Sequence, residues 1–460
     1  MTRNPFVVAQ RVPPERFVGR KSEIDAAFDQ IHNRSHLAIW GGPGMGKSSF
    51  LDKIASRQVW KEHEQDPSEA VIVLFSCLDI NPFTASGFWK EVLRNMRDIL
   101  ENDKNPELQT EIEKLLGTEP ITKDSLRQIL RLLGKREKYL VLLLDNYDAA
   151  LRENPHYTQA DMLTFLGECR NLAYHAKERK YLSMIVTSLK RLSELGPPLN
   201  QFSSPWYNHY LFQSLKPFTL LEFQQLIGII PQQAPQALQD VIREISGGHP
   251  ALLQYAGFLL YRELEDAKEG QVFDAKAFAK NFESDTKQIF ENIWARCSEE
   301  EQTLLMLIAL FGLKGRLHQQ KYDLSGIELI FSQKERDLTS LEEQGVLIRT
   351  ELPKDKDVKD ISEKGVIIRT EQGEKKILAF TSTIMERWVI QELGNTNQEL
   401  MEKRRKVFLN LMSKEQVEKV TQAIQWVWSQ KEEINSALEW FGKVSAALPK
   451  GAIQGLFNWV

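Results

Sequence analysis

Hydrophobic positions in this chain follow two patterns. In the N-terminal part, short continuous apolar runs alternate with longer stretches in which apolar residues recur every three or four positions. The runs are His36 to Trp40, Ala70 to Ser76, Tyr139 to Leu144 and Tyr181 to Thr187, each of strand length and closed by glycine or polar residues. Helical periodicity occupies Ser22 to His32, residues 87–136 with a break at Asn102 to Pro106, and about 157–176. Buried strands alternating with helices predict an α/β fold, a parallel sheet with helices on both faces.

Beyond the turn-rich segments Gly196-Pro197-Pro198 and Ser203-Ser204-Pro205, the pattern changes. Residues 218–297 read almost wholly as helices, punctuated by Pro231, Pro235 and Gly247-Gly248. Ser298, with Glu301 three positions on, opens a further helix to Leu310, and shorter helical patterns follow at 324–332 and 334–344. Gly345-Val346-Leu347-Ile348-Arg349-Thr350-Glu351 then returns, nearly unchanged, as Gly365-Val366-Ile367-Ile368-Arg369-Thr370-Glu371. Three helices followed by a β-hairpin is a winged-helix pattern. The two copies read as a local duplication, or as two wing strands around a solvated loop, with the lysine-rich but charge-balanced stretch 354–376 as that loop. Residues 397–445 are amphipathic helix, and Trp426, Trp428 and Trp440 there predict core or interface packing.

Composition narrows the class. With 42% hydrophobic and 27% charged residues among 460, the chain is globular in type, and no apolar stretch reaches the ~20 residues that span a bilayer. No signal-peptide core follows the first residues, so the expected location is cytoplasmic, with no membrane partner. Cys77, Cys169 and Cys297 lie far apart, a spacing that suits neither a zinc site nor a disulfide framework. A net charge of -4 gives no general attraction for nucleic acid. The chain stops at Val460 without a polar tail, which suggests a missing C-terminal region.

One segment carries specific chemistry. Gly41-Gly42-Pro43-Gly44-Met45-Gly46-Lys47-Ser48 matches G-x-x-x-x-G-K-[ST] between a strand and a helix, the context a phosphate loop requires. Glycines let backbone N–H groups turn in around phosphates, and the following helix, with Ser49 in its first turn, presents its positive end to the same anion. Lys47 is placed to bridge β- and γ-phosphates, and the Ser48 hydroxyl suits the oxygen shell of Mg²⁺. The predicted cofactors are therefore ATP or ADP with Mg²⁺.

Val141-Leu142-Leu143-Leu144-Asp145 sets a carboxylate at the C-terminal end of a buried strand, where ligands of open α/β sheets bind, so Asp145 is the candidate Mg²⁺ carboxylate. The next residue is Asn146, an amide that cannot accept a proton from water, which argues for slow hydrolysis. Asp148 is the alternative base, set against a plain solvated loop residue. The strand end Thr187-Ser188 offers a hydroxyl to sense the γ-phosphate, assigned to Ser188, and Lys190 and Arg191 beyond it offer positive charge, with Arg191 the sensor candidate.

These motifs, in this order, resemble the STAND class of signal-transduction ATPases within the AAA+ and archaeal-type group. Phe17-Val18-Gly19-Arg20 looks like the segment ahead of the phosphate loop that contributes to the adenine pocket, and Gly247-Gly248-His249-Pro250 looks like the G-x-P motif of the helical lid. The stretches Thr187 to Arg191, Ser204 to Asn208 and Leu215 to Phe218 are also similar to bacterial members. The resemblance implies Val18 and Pro250 near adenine, ADP holding a closed state, and ATP permitting opening and self-association into an oligomer.

The segments implied are a lead-in over 1–16, a P-loop core over 17–215, a helical lid over 216–297, a winged helix over 298–393 and a C-terminal helical region over 394–460. Two departures stand out: Asn146, and the absence of the tandem-repeat sensors common in the family. DNA is the competing partner, through the winged helix, but Gln333 to Glu343 carries four acidic residues against two basic ones and disfavours it. A nucleotide-binding scaffold without catalysis is the third reading.

Overall fold

The computed structural model describes residues 4–102, 106–198, 204–230, 236–266, 275–316, 322–352, 365–369, 374–395, 398–430 and Ile434. Pro231, Pro235, the segment between the repeated strands, Thr370 and Glu371 of the second repeat, and Trp440 lie outside these residues. Two compact units result. One holds Arg11–Gly41 and Gly46–Leu215, the other Met1–Gln10, Gly42–Met45 and Lys216–Val460.

The Arg11–Leu215 unit is the predicted α/β fold. Its elements are α1 (Lys21–His32), β1 (His36–Trp40), α2 (Lys47–Ala55), α3 (Arg57–Glu62), β2 (Ala70–Ser76), α4 (Ala85–Asn102), α5 (Pro106–Leu116), α6 (Lys123–Gly134), β3 (Tyr139–Asp145), α7 (Gln159–Arg170), β4 (Leu182–Ser188), α8 (Leu192–Leu195) and β5 (Tyr210–Ser214). The five strands are parallel, in the order β2-β3-β4-β1-β5. Every residue of β1, β3 and β4 is buried, which is why these strands read as unbroken apolar runs and not as alternation. β5 is at the sheet edge with only Tyr210 fully buried, so it lacks that signature and the sequence does not disclose it.

Packing on this sheet is aromatic as well as aliphatic. Phe83, Phe88, Trp89, Tyr157 and Phe165 are all buried, with Phe88 and Phe165 edge to face at 4.9 Å. Side-chain hydroxyls cap the entries of α6 and α7, where Thr122 and Thr158 accept from the first-turn N–H groups of Asp124 and Asp161. The predicted helix over 157–176 is α7 followed by a π-helical turn at Asn171–His175.

The other unit contains α9 (Leu220–Ile227), α10 (Gln236–Ser246), α11 (Pro250–Asp266), α12 (Ala275–Arg296), α13 (Glu299–Arg316), α14 (Leu329–Gln333), α15 (Glu335–Glu343), the strands β6 (Leu347–Glu351), β7 (Val366–Arg369) and β8 (Lys375–Phe380), and then α16 (Thr383–Gly394), α17 (Gln398–Leu411) and α18 (Lys414–Ser429). Phe6 seats its ring against Gly257 of α11 so closely that a Cβ there would lie 2.2 Å from a ring carbon. Trp428 donates its indole N–H to Leu393 O at 2.6 Å, and Trp426 packs on Tyr322 with ring centroids 5.3 Å apart.

The repeated segments both form strands, but they do not pair with each other. β6 and β7 flank β8, and both run antiparallel to it. β8 begins at Lys375 and Lys376, inside the stretch whose charge reads as loop. Its apolar half, Ile377 and Leu378, is buried. Local charge loses here to the two partner strands, which satisfy the backbone on both sides. Among the described residues no helix is long and apolar enough to cross a membrane.

Candidate functional site

The strand order places the chemistry. From β1 the chain crosses to β2 on one side, whereas from β4 it returns past β1 to β5 on the other, so the C-terminal ends of β1 and β4 flank a topological switch point. Trp40 pairs with Ser188 there, and Ser76 of β2 pairs with Asp145 of β3.

Gly41 and Gly46–Ser49 belong to the sheet-bearing unit. Gly46 has φ of 88° with open space where a Cβ would project, so glycine is required there by backbone conformation alone. Lys47 is the first residue of α2 and donates from Nζ to Gly41 O at 2.6 Å, which folds the ammonium back over the loop. Ser48 and Ser49 follow in the first turn of α2, and the Ser49 hydroxyl accepts the Val12 N–H at 2.9 Å.

Gly42–Met45, the tip of the loop, belongs to the other unit. Pro43 O accepts the Nε2–H of buried His249 at 2.9 Å, and Gly44 O accepts the Ala251 N–H at 3.2 Å. A carbonyl accepts only, and the other ring nitrogen of His249 accepts the Leu252 N–H, so this imidazole carries its proton on Nε2. Gly44, with φ of 77°, leaves no room for a side chain, because a Cβ would stand 2.6 Å from His249 Cε1. Pro250 opens α11 next to these contacts. Val18 is half-buried in the segment before α1, where Phe17 packs edge-on to Phe50 of α2.

Asp145 is buried and engaged at both carboxylate oxygens. Oδ1 accepts the Thr187 hydroxyl at 2.7 Å and the Asn146 N–H at 3.1 Å, while Oδ2 pairs with Arg11 Nη2 at 3.0 Å. Arg11 also reaches Asp52 Oδ1 at 3.2 Å. Asn146 takes the left-handed conformation, φ 51°, which asparagine tolerates better than most residues, and its amide Nδ2 donates to Ser76 Oγ at 3.1 Å. Asp148 is buried and accepts the Leu189 N–H at 2.9 Å. Burial pushes its pKa above the ordinary carboxylate value, partly opposed by that hydrogen bond and by the charge of Lys47.

Sequence reasoning names Ser188 as the sensing hydroxyl. In the structure that hydroxyl donates to Lys190 O at 2.7 Å, within its own turn, and the neighbouring Thr187 touches Asp145. Arg191 lies with its guanidinium carbon 4.8 Å from the Trp40 ring centroid, at the entry to the loop. Register supplies the missing signal for Thr187. Leu144 pairs with Val186, so the next residues of the two parallel strands stand side by side. Arg11 has no such signal, because it lies in an aperiodic, polar lead-in.

Ser48 and Asp145 are hard oxygen donors of the kind Mg²⁺ takes, and Asp145 already carries a cation on Oδ2. Among the described residues no group of three His, Cys, Asp or Glu side chains is placed to hold a metal.

Comparison with known proteins fits this geometry. Residues 30–195 match the family model described as an AAA domain. No curated protein matches the chain. Among solved structures, a Walker-type ATPase of Pyrococcus abyssi is similar with TM-score 0.53 and 14% identity, over 84% of this chain and 99% of that one. The ORC2 protein of Aeropyrum pernix, in its ADPNP-ADP complexes, aligns with TM-score 0.48 and 14% identity over 86% of this chain and 99% of its own. Residues 30–195 thus resemble an AAA domain, and the sheet-bearing unit has the α/β P-loop fold.

Proposed function

We propose that this protein is a nucleotide-controlled switch of the STAND type. ADP keeps it closed, ATP opens it and permits self-association, and slow hydrolysis resets it. The observation that carries the reading is the convergence of Lys47, Asp145, Thr187 and Asp148 at one end of the sheet, beside a glycine loop of anion-binding form.

In this reading Gly41 to Ser49 bind the phosphates, with Val18 and Pro250 toward adenine. Ser48 and Asp145 hold Mg²⁺, which when bound neutralises phosphate charge and orients the γ-phosphate. Thr187 and Asn146 fix the Asp145 carboxylate. Asp148 accepts the proton of the attacking water, with its basicity raised by burial, while Asn146 keeps turnover low. Ser188 and Arg191 report the γ-phosphate, Ser188 through the turn it closes and Arg191 by leaving Trp40.

Residues 216–297 act as lid, 298–393 as a winged helix and 394–460 as an interaction region for a protein effector. Support for the winged helix is the run α13, α14 and α15 into an antiparallel sheet. Its α15 spends Glu335 and Glu342 on Arg349 of β6. Even with Arg349 counted, Lys334 to Glu343 offers four acidic side chains against three basic ones, which leaves no positive excess to attract DNA and favours a protein partner. The setting is cytoplasmic signalling or defence.

A switch of this kind changes size with nucleotide, because a ligand shifts an equilibrium only by its differential affinity for the two states. Size-exclusion profiles with ADP, ATP and a non-hydrolysable ATP analogue are expected to differ, and Lys47→Ala is expected to remove the difference. Superimposable profiles would overturn the proposal.

A further inference from the structure

Asp145 is the carboxylate assigned above to Mg²⁺, and the inference that follows rests on that reading of the site. Its side chain is 2% exposed, whereas that of Arg11, its partner, is 46% exposed. A buried carboxylate needs a counter-charge, and here a half-exposed arginine from the lead-in supplies it. The other carboxylate oxygen is held by Thr187 and Asn146, both fixed at strand ends. Oδ2 is therefore the oxygen whose partner is exchangeable.

The lead-in is bound to both elements that carry the metal donors. Arg11 joins Asp145 of β3 and Asp52 of α2, and the Val12 N–H is held by Ser49, the residue after Ser48. A divalent ion and a guanidinium drawn to the same carboxylate repel each other, the more strongly where water is excluded.

We propose that Arg11 is a resident cation of the metal position, so that Mg²⁺ enters with nucleotide by displacing it. Arg11 neutralises Asp145 while Mg²⁺ is away, and Mg²⁺ binding frees the Arg11–Val12 strap from α2 and β3. Arg11 sets the Mg²⁺ concentration at which the site loads, and the lead-in is the first segment of the chain to register that loading.

The test is a Mg²⁺ titration of a fluorescent ADP analogue on the full chain, with each protein's affinity in EDTA as its own reference. Arg11→Gln removes the charge and shortens the side chain while keeping it polar, and should lower the half-saturating Mg²⁺ about tenfold, the scale of one charge-assisted hydrogen bond. Arg11→Lys should stay near wild type. An unchanged or higher Mg²⁺ requirement in Arg11→Gln overturns the proposal. In the wild type, amide exchange at Val12 should be faster with Mg²⁺ and ADP than with ADP and EDTA, and equal or slower exchange overturns it without any variant. If wild type binds no nucleotide at any Mg²⁺ concentration, it is the nucleotide reading of the site that fails.

Discussion

The hydroxyl of Thr187 donates to Oδ1 of Asp145 across 2.7 Å, joining the ends of β4 and β3. Both residues are buried, so this bond is made away from water and fixes the orientation of the carboxylate.

Thr187→Val keeps shape and removes the donor. It should weaken Mg²⁺-dependent nucleotide binding about tenfold and cost about 1 to 2 kcal/mol of stability, since a buried acceptor loses a partner. Thr187→Ser should restore both. Calorimetry with Mg²⁺ and ADP, with urea unfolding alongside, checks the pair. Equal behaviour of the Val and Ser variants would show that the hydroxyl is not what holds Asp145.

Asp148 has two separable tasks, accepting the Leu189 N–H and taking a proton from water. Asp148→Asn keeps an acceptor for Leu189 but is no base, so it should retain nucleotide affinity within about threefold and lose phosphate release about 100-fold. Asp148→Ala should lose both properties. If the Asn variant releases phosphate at the wild-type rate, Asp148 serves the Leu189 turn alone.

Two buried histidines give the fold an acid limit. His36 accepts the Met184 N–H at Nδ1, and burial depresses its pKa to about 4; His209, its ring 5.5 Å away, is depressed to about 3 by burial first and then by His36. Groups whose folded pKa lies below the unfolded value of 6.5 bind more protons once the chain unfolds. Their neutral state therefore supports the fold fully above pH 6.5, and that support drains away as pH falls toward 4. For His36 the loss is on the order of 3 kcal/mol. Urea midpoints measured from pH 7 to pH 4 should fall, and His36→Gln should flatten the slope. A wild-type slope of zero across that window would rule the mechanism out.

The sequence by itself determined the phosphate loop, the carboxylate at the end of the third strand and the α/β alternation. Each is a local pattern: a glycine spacing that only one backbone path satisfies, and unbroken apolar runs that only strands covered on both faces require. Tertiary structure decided what those residues touch. Thr187 rather than Ser188 reaches Asp145 because strand register, not strand identity, sets neighbours. Arg11 reaches Asp145 across 134 positions of chain, through a segment with no period to read. Lys375 and Lys376 join β8 because two partner strands satisfy its backbone, against their own charge. Periodicity records which face is buried, and only the folded chain sets which residue lies opposite.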